Sequence, residues 1–164
     1  MATQNSTLTQ DHVKSLFDYK DGNLYWKISI GSAKVGKLAG CQGKKGYWQI
    51  RLNSKTYKAH RLIFLYFNNY FPDFIDHIDG NRKNNNIENL RPATHKENSY
   101  NRKIVSKNTP VKGVVWKKQR NRWEVSCWKD NKKYYGGYFV DKFDAIKMAI
   151  ELRKTHHKEF ARHF

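Results

Sequence analysis

The first half of the chain alternates between helical and strand-like spacing of its apolar side chains. Helical spacing over residues 7–19 predicts a short amphipathic helix with Ser6 or Thr9 at its N-cap, and residues 24–28 are typical of a strand. Residues 47–52 alternate between apolar and polar positions and predict a further strand. Its inner face carries Trp48, Ile50 and Leu52.

The spacing of the apolar side chains changes from that of a strand to that of a helix after residue 59. A largely buried helix is predicted from His60 to about Asn69, and Pro72 ends it. The tryptophans of this half, Trp26 and Trp48, are expected to pack in the core rather than to stack on bases. This small sheet and helix are expected to support the more polar stretch that follows.

The last third of the chain predicts a second arrangement. Residues 111–117, 123–129 and 134–139 have the spacing of three strands joined by polar hairpin turns. Asp141 is expected to cap a helix that runs to about Lys158. The apolar stripe of that helix consists of Ala145, Ile146, Ala149, Ile150 and Leu152. The pattern predicts a three-stranded antiparallel sheet packed on one helix.

A polar stretch, residues 74–102, lies between these two parts. Asp76 and His77 stand directly before Asp79-Gly80-Asn81, which is typical of a turn that closes a β-hairpin. A carboxylate and an imidazole are therefore expected side by side next to a sharp turn.

The same stretch ends in a helix signal. Thr94 and Glu97 have the spacing of a capping box, so a helix is expected to begin there with Asn98 in its first turns. Strand, turn, strand and short helix together predict a compact ββα unit over about residues 74–102.

Charge narrows the class of partner. Lys and Arg number 32 against 14 Asp and Glu, which gives a formal net charge of +18. Such a field attracts polyanions, and double-stranded DNA is the expected partner. No apolar run approaches the ~20 residues needed to span a bilayer, so no membrane partner is expected. A cytoplasmic location is expected, in a bacterial host cell if the gene belongs to a phage.

The side chains of the polar stretch suit phosphodiester cleavage. Asp76 and Asn98 offer hard oxygen ligands, which Mg²⁺ uses while it keeps several waters. His77 is the neighbour of Asp76 on a strand and points to the opposite face, where an imidazole with an unperturbed pKa of ~6.5 can activate water. A chance Asp-His pair on a surface turn is the alternative. The ordered spacing of the turn, Asn89, the capping box and Asn98 argues against it.

At these residues the chain resembles the HNH endonucleases of the ββα-metal fold, in the pattern of phage and intron-encoded homing enzymes. The resemblance implies that His77 is the general base and that Asp76 and Asn98 bind one divalent metal, Mg²⁺ with Mn²⁺ as a substitute. It implies that Asn89 holds the loop and helps to orient the catalytic histidine. The segments that carry it are 59–62, 76–81, 88–91, 93–98 and 101–102. Contacts with DNA are implied for His60, Arg61, His95, Asn101 and Arg102. For His60, a helix-capping role is an equal alternative.

Two departures from the family pattern bear on metal binding. Asn98 stands where the family name has its last His, so one ligand is an amide oxygen. Some relatives carry four cysteines around a structural zinc, but this chain has only Cys41 and Cys127, and no structural zinc is expected. The histidines near the C-terminus are expected to be a solvated tail rather than a metal site. They are His156, His157 and His163.

The last third of the chain is similar to the AP2 DNA-binding domain. The similarity is carried by Gly113-Val114, Trp116, Arg122-Trp123 and Gly136-Gly137-Tyr138-Phe139, together with the helix that follows. In that family the face of the sheet lies in the major groove. Contacts with DNA are therefore implied for Trp116, Lys118, Arg120, Arg122 and Trp128. Val115 stands where the family often has Arg, so base specificity is not implied.

These observations predict an α+β protein with two domains. An HNH nuclease domain is expected over residues 1–102, a linker over 103–109 and an AP2-like domain over 110–164. The expected activity is that of a homing-type endonuclease that nicks or cleaves double-stranded DNA as a monomer or homodimer. Two alternatives stay open, a non-catalytic DNA-binding regulator or architectural protein with a degenerate HNH unit, and an RNA-directed binder.

Overall fold

The computed structural model describes residues 8–101 and 109–162. The described residues form two compact units that divide between Ala93 and Thr94. Both units combine helices with antiparallel strands, which agrees with the predicted α+β class. The linker predicted at residues 103–109 lies almost entirely outside the described ranges and stays a prediction. No helix within those ranges is long and apolar enough to cross a membrane.

The first unit opens with a short helix, α1 (Gln10–Leu16), and Thr9 caps it by accepting the His12 N–H. The prediction of a helix as far as Tyr19 is wrong. The next residues form strand β1 (Phe17–Lys20), which pairs antiparallel with β2 (Asn23–Trp26). Phe17 is fully buried and its ring lies 4.6 Å from that of Trp26, so extended pairing and core packing outweigh the helical spacing.

A small sheet and a helix complete the core of the first unit. The sheet orders its antiparallel strands as β3 (Cys41–Gln42), β4 (Trp48–Leu52) and β5 (Lys55–Lys58). Helix α2 (Ala59–Asn68) follows directly, and Asn69 ends it in the left-handed conformation. Ile50 and Leu52 are buried, as the alternation of β4 predicted. The predicted helix is confirmed to within a residue at each end.

The strands that carry the polar stretch also lie in the first unit. Strand β6 (Phe74–His77) pairs antiparallel with β7 (Leu90–Ala93), so that Asp76 lies opposite Arg91 and His77 opposite Leu90. The expected tight hairpin at Asp79-Gly80-Asn81 is wrong in one respect. The whole segment 78–89 joins the two strands, and a 3₁₀ turn at Ile87–Asn89 returns the chain to β7. This long loop carries Asn85, which contacts His77, and Asn89, which holds the loop together.

The second unit begins with α3 (His95–Tyr100) and its capping box. Thr94 Oγ1 accepts the Glu97 N–H at 3.2 Å, and Glu97 Oε2 accepts the Thr94 N–H at 2.7 Å, as predicted. A three-stranded antiparallel sheet follows, in the order β10 (Lys132–Phe139), β9 (Arg122–Lys129) and β8 (Val114–Lys117). Helix α4 (Lys142–His157) packs on it, capped by Asp141. The core between them contains Val111, Val114, Val125, Ala145 and Ala149.

Candidate active site

Asp76 is a buried carboxylate held by an arginine. Only 4% of the residue is exposed, and its Oδ2 accepts hydrogen bonds from Arg91 Nε at 3.0 Å and Nη2 at 2.8 Å. The two residues face each other across the β6–β7 pair, so strand register creates the contact. The guanidinium compensates the charge of the buried carboxylate and fixes its orientation.

His77 is buried beside it and is oriented by an asparagine. Its Nε2 lies 3.0 Å from Asn85 Oδ1, and both residues are about 95% buried. An amide oxygen only accepts, so Nε2 must carry the proton in this hydrogen bond. In the neutral imidazole the free electron pair then lies on Nδ1, which is the nitrogen that can take up a proton. The Asn85 contact therefore determines which ring nitrogen of His77 can act as a base.

Asn89 organises the loop around these two residues. Its Nδ2 donates to Asp79 Oδ1 at 3.0 Å and to the Asn84 carbonyl at 2.8 Å, while its Oδ1 accepts the Asp79 N–H at 3.0 Å. Burial alone would raise the pKa of Asp79, but hydrogen bonds from Asn81, Asn84 and Asn89 lower it below its usual range. Asn89 thus holds the loop together by hydrogen bonds, and the direct contact with His77 comes from Asn85.

A second histidine lies against His77. The His60 ring is 4.9 Å from the His77 ring in an edge-to-face arrangement, and Tyr47 lies 5.3 Å from His60. Burial, and then the charges of His77, Lys58 and Arg61, lower the pKa of His60 to about 3. His60 is therefore neutral at physiological pH, and its uncharged ring packs against the candidate base.

Tyr47 is also the centre of a group of cations. Lys58 Nζ lies 4.5 Å and Arg82 Cζ 4.9 Å from the centre of its ring. Desolvation, and then three neighbouring cations, lower the pKa of Lys58. Those cations are Arg61, Lys45 and Arg82. Positive charge is thus concentrated at the edge of the His60–His77 pair, where it attracts an anion.

The predicted metal ligands are oxygen donors. Within residues 8–101 and 109–162, no three His, Cys, Asp or Glu side chains cluster as a cage for a metal ion. The two predicted metal ligands lie in different units, Asp76 in the first and the partly buried Asn98, on α3, in the second. A carboxylate oxygen and an amide oxygen are both hard donors of the kind that Mg²⁺ binds.

The other positions predicted from the HNH pattern lie in different surroundings. Arg61 Nη1 donates to the Asp73 carbonyl at 3.2 Å. His95 is exposed at the start of α3, whereas Asn101 is buried behind its end. Arg102 lies outside the described residues. Of these positions, His60 contacts the candidate base His77, whereas His95 and Asn101 lie in the second unit.

The second unit carries an exposed aromatic and basic surface on its sheet. Trp128 is 60% exposed and Arg122 is exposed, and the two lie on the same face of β9 by alternation. Arg120 lies 4.8 Å from the centre of the Tyr138 ring. Trp116 lies opposite Trp123, with ring centres 4.9 Å apart. Lys118 is exposed in the 3₁₀ turn after β8.

A carboxylate lies within this surface. Glu124 accepts hydrogen bonds from Lys133 Nζ at 2.7 Å and Tyr138 OH at 3.2 Å, and Lys117 Nζ is 3.5 Å away. The hydrogen bond from Lys133 lowers the pKa of Glu124. The carboxylate therefore aligns these lysine and tyrosine side chains on the face of the sheet.

Several of these residues could not be singled out from the sequence. Asn85 lies in a run of three asparagines, and nothing in the run distinguishes the one that contacts His77. Tyr47 lies outside every motif segment and reaches the site only through the fold. Lys58 directly precedes the segment 59–62, but nothing in the sequence indicated its contact with Tyr47. Tyr138 lies within the AP2-like pattern, but nothing in the sequence indicated that Glu124 would be its hydrogen-bond partner.

Comparisons with known proteins identify the family to which the chain is related. Residues 57–100 match the HNH endonuclease family. The chain is 37% identical over 90 residues to Protein 3.8 of Escherichia phage T7, covering 54% of this chain and 74% of that protein. It is 38% identical over 79 residues to DNA endonuclease I-HmuI of Bacillus phage SP01, covering 44% of this chain and 45% of that protein. No solved structure matches the chain significantly.

The chain also matches HNH endonuclease L245 of Acanthamoeba polyphaga mimivirus, with 29% identity over 128 residues, 73% of this chain and 34% of that protein. It thus spans most of the T7 protein but less than half of the other two. The chain belongs to the HNH endonuclease family. It is a nuclease, a hydrolase of phosphodiester bonds.

Proposed function

We propose that this enzyme is a homing-type DNA endonuclease that hydrolyses double-stranded DNA with the help of Mg²⁺ or Mn²⁺. The observation that carries the proposal is the buried His77, held by Asn85 in the tautomer of a general base, next to the buried carboxylate of Asp76. The C-terminal unit supplies DNA binding and placement.

The proton transfer is assigned to Nδ1 of His77. Asn85 keeps the proton on Nε2, so Nδ1 takes a proton from a water that attacks phosphorus in line. The neutral His60 beside it adds no positive charge next to the base. Products with a 5′ phosphate and a 3′ hydroxyl are expected, as in the family.

Asp76 and Asn98 are the residues proposed to hold the divalent ion. When bound, the ion would neutralise the scissile phosphate and stabilise the departing 3′ oxygen. Arg91 holds the Asp76 carboxylate in a fixed orientation. Two protein oxygen ligands suit an ion that retains waters and takes a substrate phosphate.

The cations around Tyr47 are proposed to contact the phosphates that flank the scissile one. Lys58 and Arg82 lie over the Tyr47 ring, and Arg82 Nη1 is further fixed by the Lys45 carbonyl at 3.2 Å. These contacts order long side chains before DNA binds and so reduce the entropy lost on association. Lys58 and Arg82 extend the predicted DNA contacts of His60 and Arg61.

The C-terminal unit is proposed to bind DNA as an AP2-like sheet. Residues 103–164 contain sixteen Lys and Arg against six Asp and Glu, a net charge of +10. Exposed Trp128 and Arg122 share one face of β9, which supports the proposal that this face enters a groove. Binding should weaken steeply as salt rises, because phosphate contacts release counterions.

The nuclease test is cleavage of supercoiled plasmid and candidate genomic DNA at low salt, with Mg²⁺, Mn²⁺ or EDTA. Wild type should convert the plasmid to open-circle or linear DNA in a metal-dependent way, and His77→Ala should not. His12→Ala, which removes an exposed histidine of the same unit, is the matched control and should cleave like wild type.

Whether the product is open-circle or linear DNA shows whether the enzyme nicks one strand or cuts both. One site per chain suits nicking of one strand, so linear product would require a dimer or two successive nicks. Absence of cleavage by wild type, together with intact DNA binding by both wild type and His77→Ala, would refute the proposed function and favour a DNA-binding regulator.

A further inference from the structure

The helix that bears Asn98 is too short to hold its own position. Helix α3 has six residues, and isolated helices of that length are not stable in water. Its capping box fixes the N-terminal end only. Asn98 lies between the two ends of α3, so its orientation depends on the contacts of the C-terminal end as well as on the capping box.

That end is held by the C-terminal unit through Tyr100. The Tyr100 ring stacks on His157 with centroids 4.0 Å apart and an interplanar angle of 3°. The Tyr100 carbonyl accepts hydrogen bonds from Lys112 Nζ at 2.9 Å and Arg153 Nη2 at 3.2 Å. Carbonyls at the end of a helix lack partners within the helix, and cations there are favoured by its dipole.

The residues that hold Tyr100 are themselves fixed inside the unit. His157 Nε2 lies 2.9 Å from the Trp128 carbonyl, and Arg153 Nη2 also donates to the Arg162 carbonyl at 3.1 Å. Both His157 and Arg153 are about 95% buried. The expectation of a solvated histidine tail is therefore wrong for His157, while His163 lies outside the described residues.

Burial of these two groups is costly. Arg153 Nε and His157 Nδ1 are buried without a hydrogen-bond partner among the described residues. Desolvation lowers the pKa of both side chains. No carboxylate within the described ranges pairs with Arg153, whose Nη2 donates to two carbonyl oxygens there. An aliphatic side chain would fill this place at lower cost, which indicates a role beyond core packing.

A further contact holds the other side of α3. Lys96 Nζ lies 3.0 Å from Asp130 Oδ1, in the turn between β9 and β10. Both side chains are largely exposed, so this ion pair adds little on its own. Together with the Tyr100 contacts, it means that α3 is joined to the strand turn, to the segment before β8 and to α4.

We infer that the DNA-binding unit is part of the catalytic machinery, because its residues Arg153 and His157 position the helix that bears Asn98. The inference rests on the proposed role of Asn98 as a metal ligand. Arg153 and His157 are positioning residues that act through Tyr100. Their loss should weaken metal binding while DNA affinity is retained.

The test uses the full chain and two pairs of matched variants. Tyr100→Ala removes the stacked ring, whereas Tyr100→Phe keeps both ring and carbonyl. His157→Ala removes its stacking partner. His156→Ala removes the neighbouring histidine of α4, which stacks on Tyr134 at 3.7 Å and has no ring contact with α3. Each variant is assayed for DNA binding in EDTA and for the Mn²⁺ concentration that gives half-maximal cleavage.

A readout independent of cleavage accompanies these assays. Mn²⁺ binding to the DNA complex is measured by electron paramagnetic resonance with His77→Ala in the background, and deuterium uptake of residues 95–101 is followed by mass spectrometry. Tyr100→Ala and His157→Ala should weaken Mn²⁺ binding by about tenfold or more, as loss of supporting groups around metal ligands commonly does. They should also speed exchange in α3, while DNA affinity stays within about twofold.

Tyr100→Phe and His156→Ala should match wild type in every assay. Equal Mn²⁺ binding and equal exchange in Tyr100→Ala, His157→Ala and His156→Ala would overturn the inference. If His157→Ala unfolds, the difference between Tyr100→Ala and Tyr100→Phe decides the outcome. Failure of the proposed function looks different, because Asn98→Ala would then bind Mn²⁺ as well as its parent.

Discussion

Acidification should destabilise the nuclease unit through His60. The residue is only 5% exposed, and burial, followed by the charges of His77, Lys58 and Arg61, lowers its pKa to about 3. In the unfolded chain a histidine titrates near ~6.5. As pH falls, the unfolded state binds the proton first. The stability that depends on neutral His60 is complete above ~6.5 and is lost progressively down to about 3.

The size of the effect follows from the difference between the two pKa values. A difference of roughly 3.5 at ~1.36 kcal/mol per unit gives an upper limit of ~5 kcal/mol for the whole pH range. Between pH 7.5 and 4.5 only the upper part of this range is crossed, so the expected loss is about 2–3 kcal/mol. Such a loss is a large fraction of the stability of a small domain.

Urea unfolding of wild type and His60→Gln at several pH values measures this loss. The free energy of unfolding of wild type should fall relative to His60→Gln by about 2–3 kcal/mol between pH 7.5 and 4.5. His12→Gln, at an exposed histidine, should keep a constant difference from wild type. The ring resonances of His60 in an NMR titration should stay flat above pH 4.5. Parallel stability curves, or a His60 titration near pH 6.5, would refute the reasoning.

Three further outcomes are expected. Asn85→Ala should lower the cleavage rate by at least about tenfold without loss of DNA affinity, because His77 loses the contact that selects its tautomer, whereas exposed Asn86→Ala should cleave like wild type. Gly113→Ala should lower the free energy of unfolding of the C-terminal unit in urea by more than ~1 kcal/mol, because φ of Gly113 is +83° and the new Cβ would clash with the Ser126 carbonyl oxygen. Gly31→Ala, with open space around the new Cβ, should lower the free energy of unfolding by less. Trp128→Ala should weaken DNA binding in a gel-shift assay and leave the melting temperature unchanged, because the ring is 60% exposed.

Local signals in the sequence predicted the parts of the fold that are stabilised locally. The Thr94–Glu97 capping box forms as its spacing requires, and Ile50 and Leu52 enter the core as the alternation of β4 predicted. The helix expected as far as Tyr19 ends at Leu16, because Phe17–Lys20 pair with Asn23–Trp26 in a hairpin, and helical spacing of apolar residues does not reveal that competing pairing.

The candidate site also contains residues that local sequence signals identify and residues that only the fold selects. Asp76 and His77 could be identified from their order in the motif. The partner of His77 could not, because Asn84, Asn85 and Asn86 are chemically identical and only the fold selects one of them. The prediction for His157 failed for a related reason: position at the end of a helix predicts exposure, and burial there arises from a ring more than fifty residues away.

The division between Ala93 and Thr94 falls inside the stretch of residues 57–100 that matches the HNH family. If the C-terminal unit is exchanged for another as a block, the inferred positioning of α3 places the start of that block at Thr94, because Tyr100 of α3 contacts Arg153 and His157 of the same unit. A chimaera joined after residue 102 would pair α3 with a foreign unit, whereas one joined at Ala93 would bring Asn98 together with the residues that hold it.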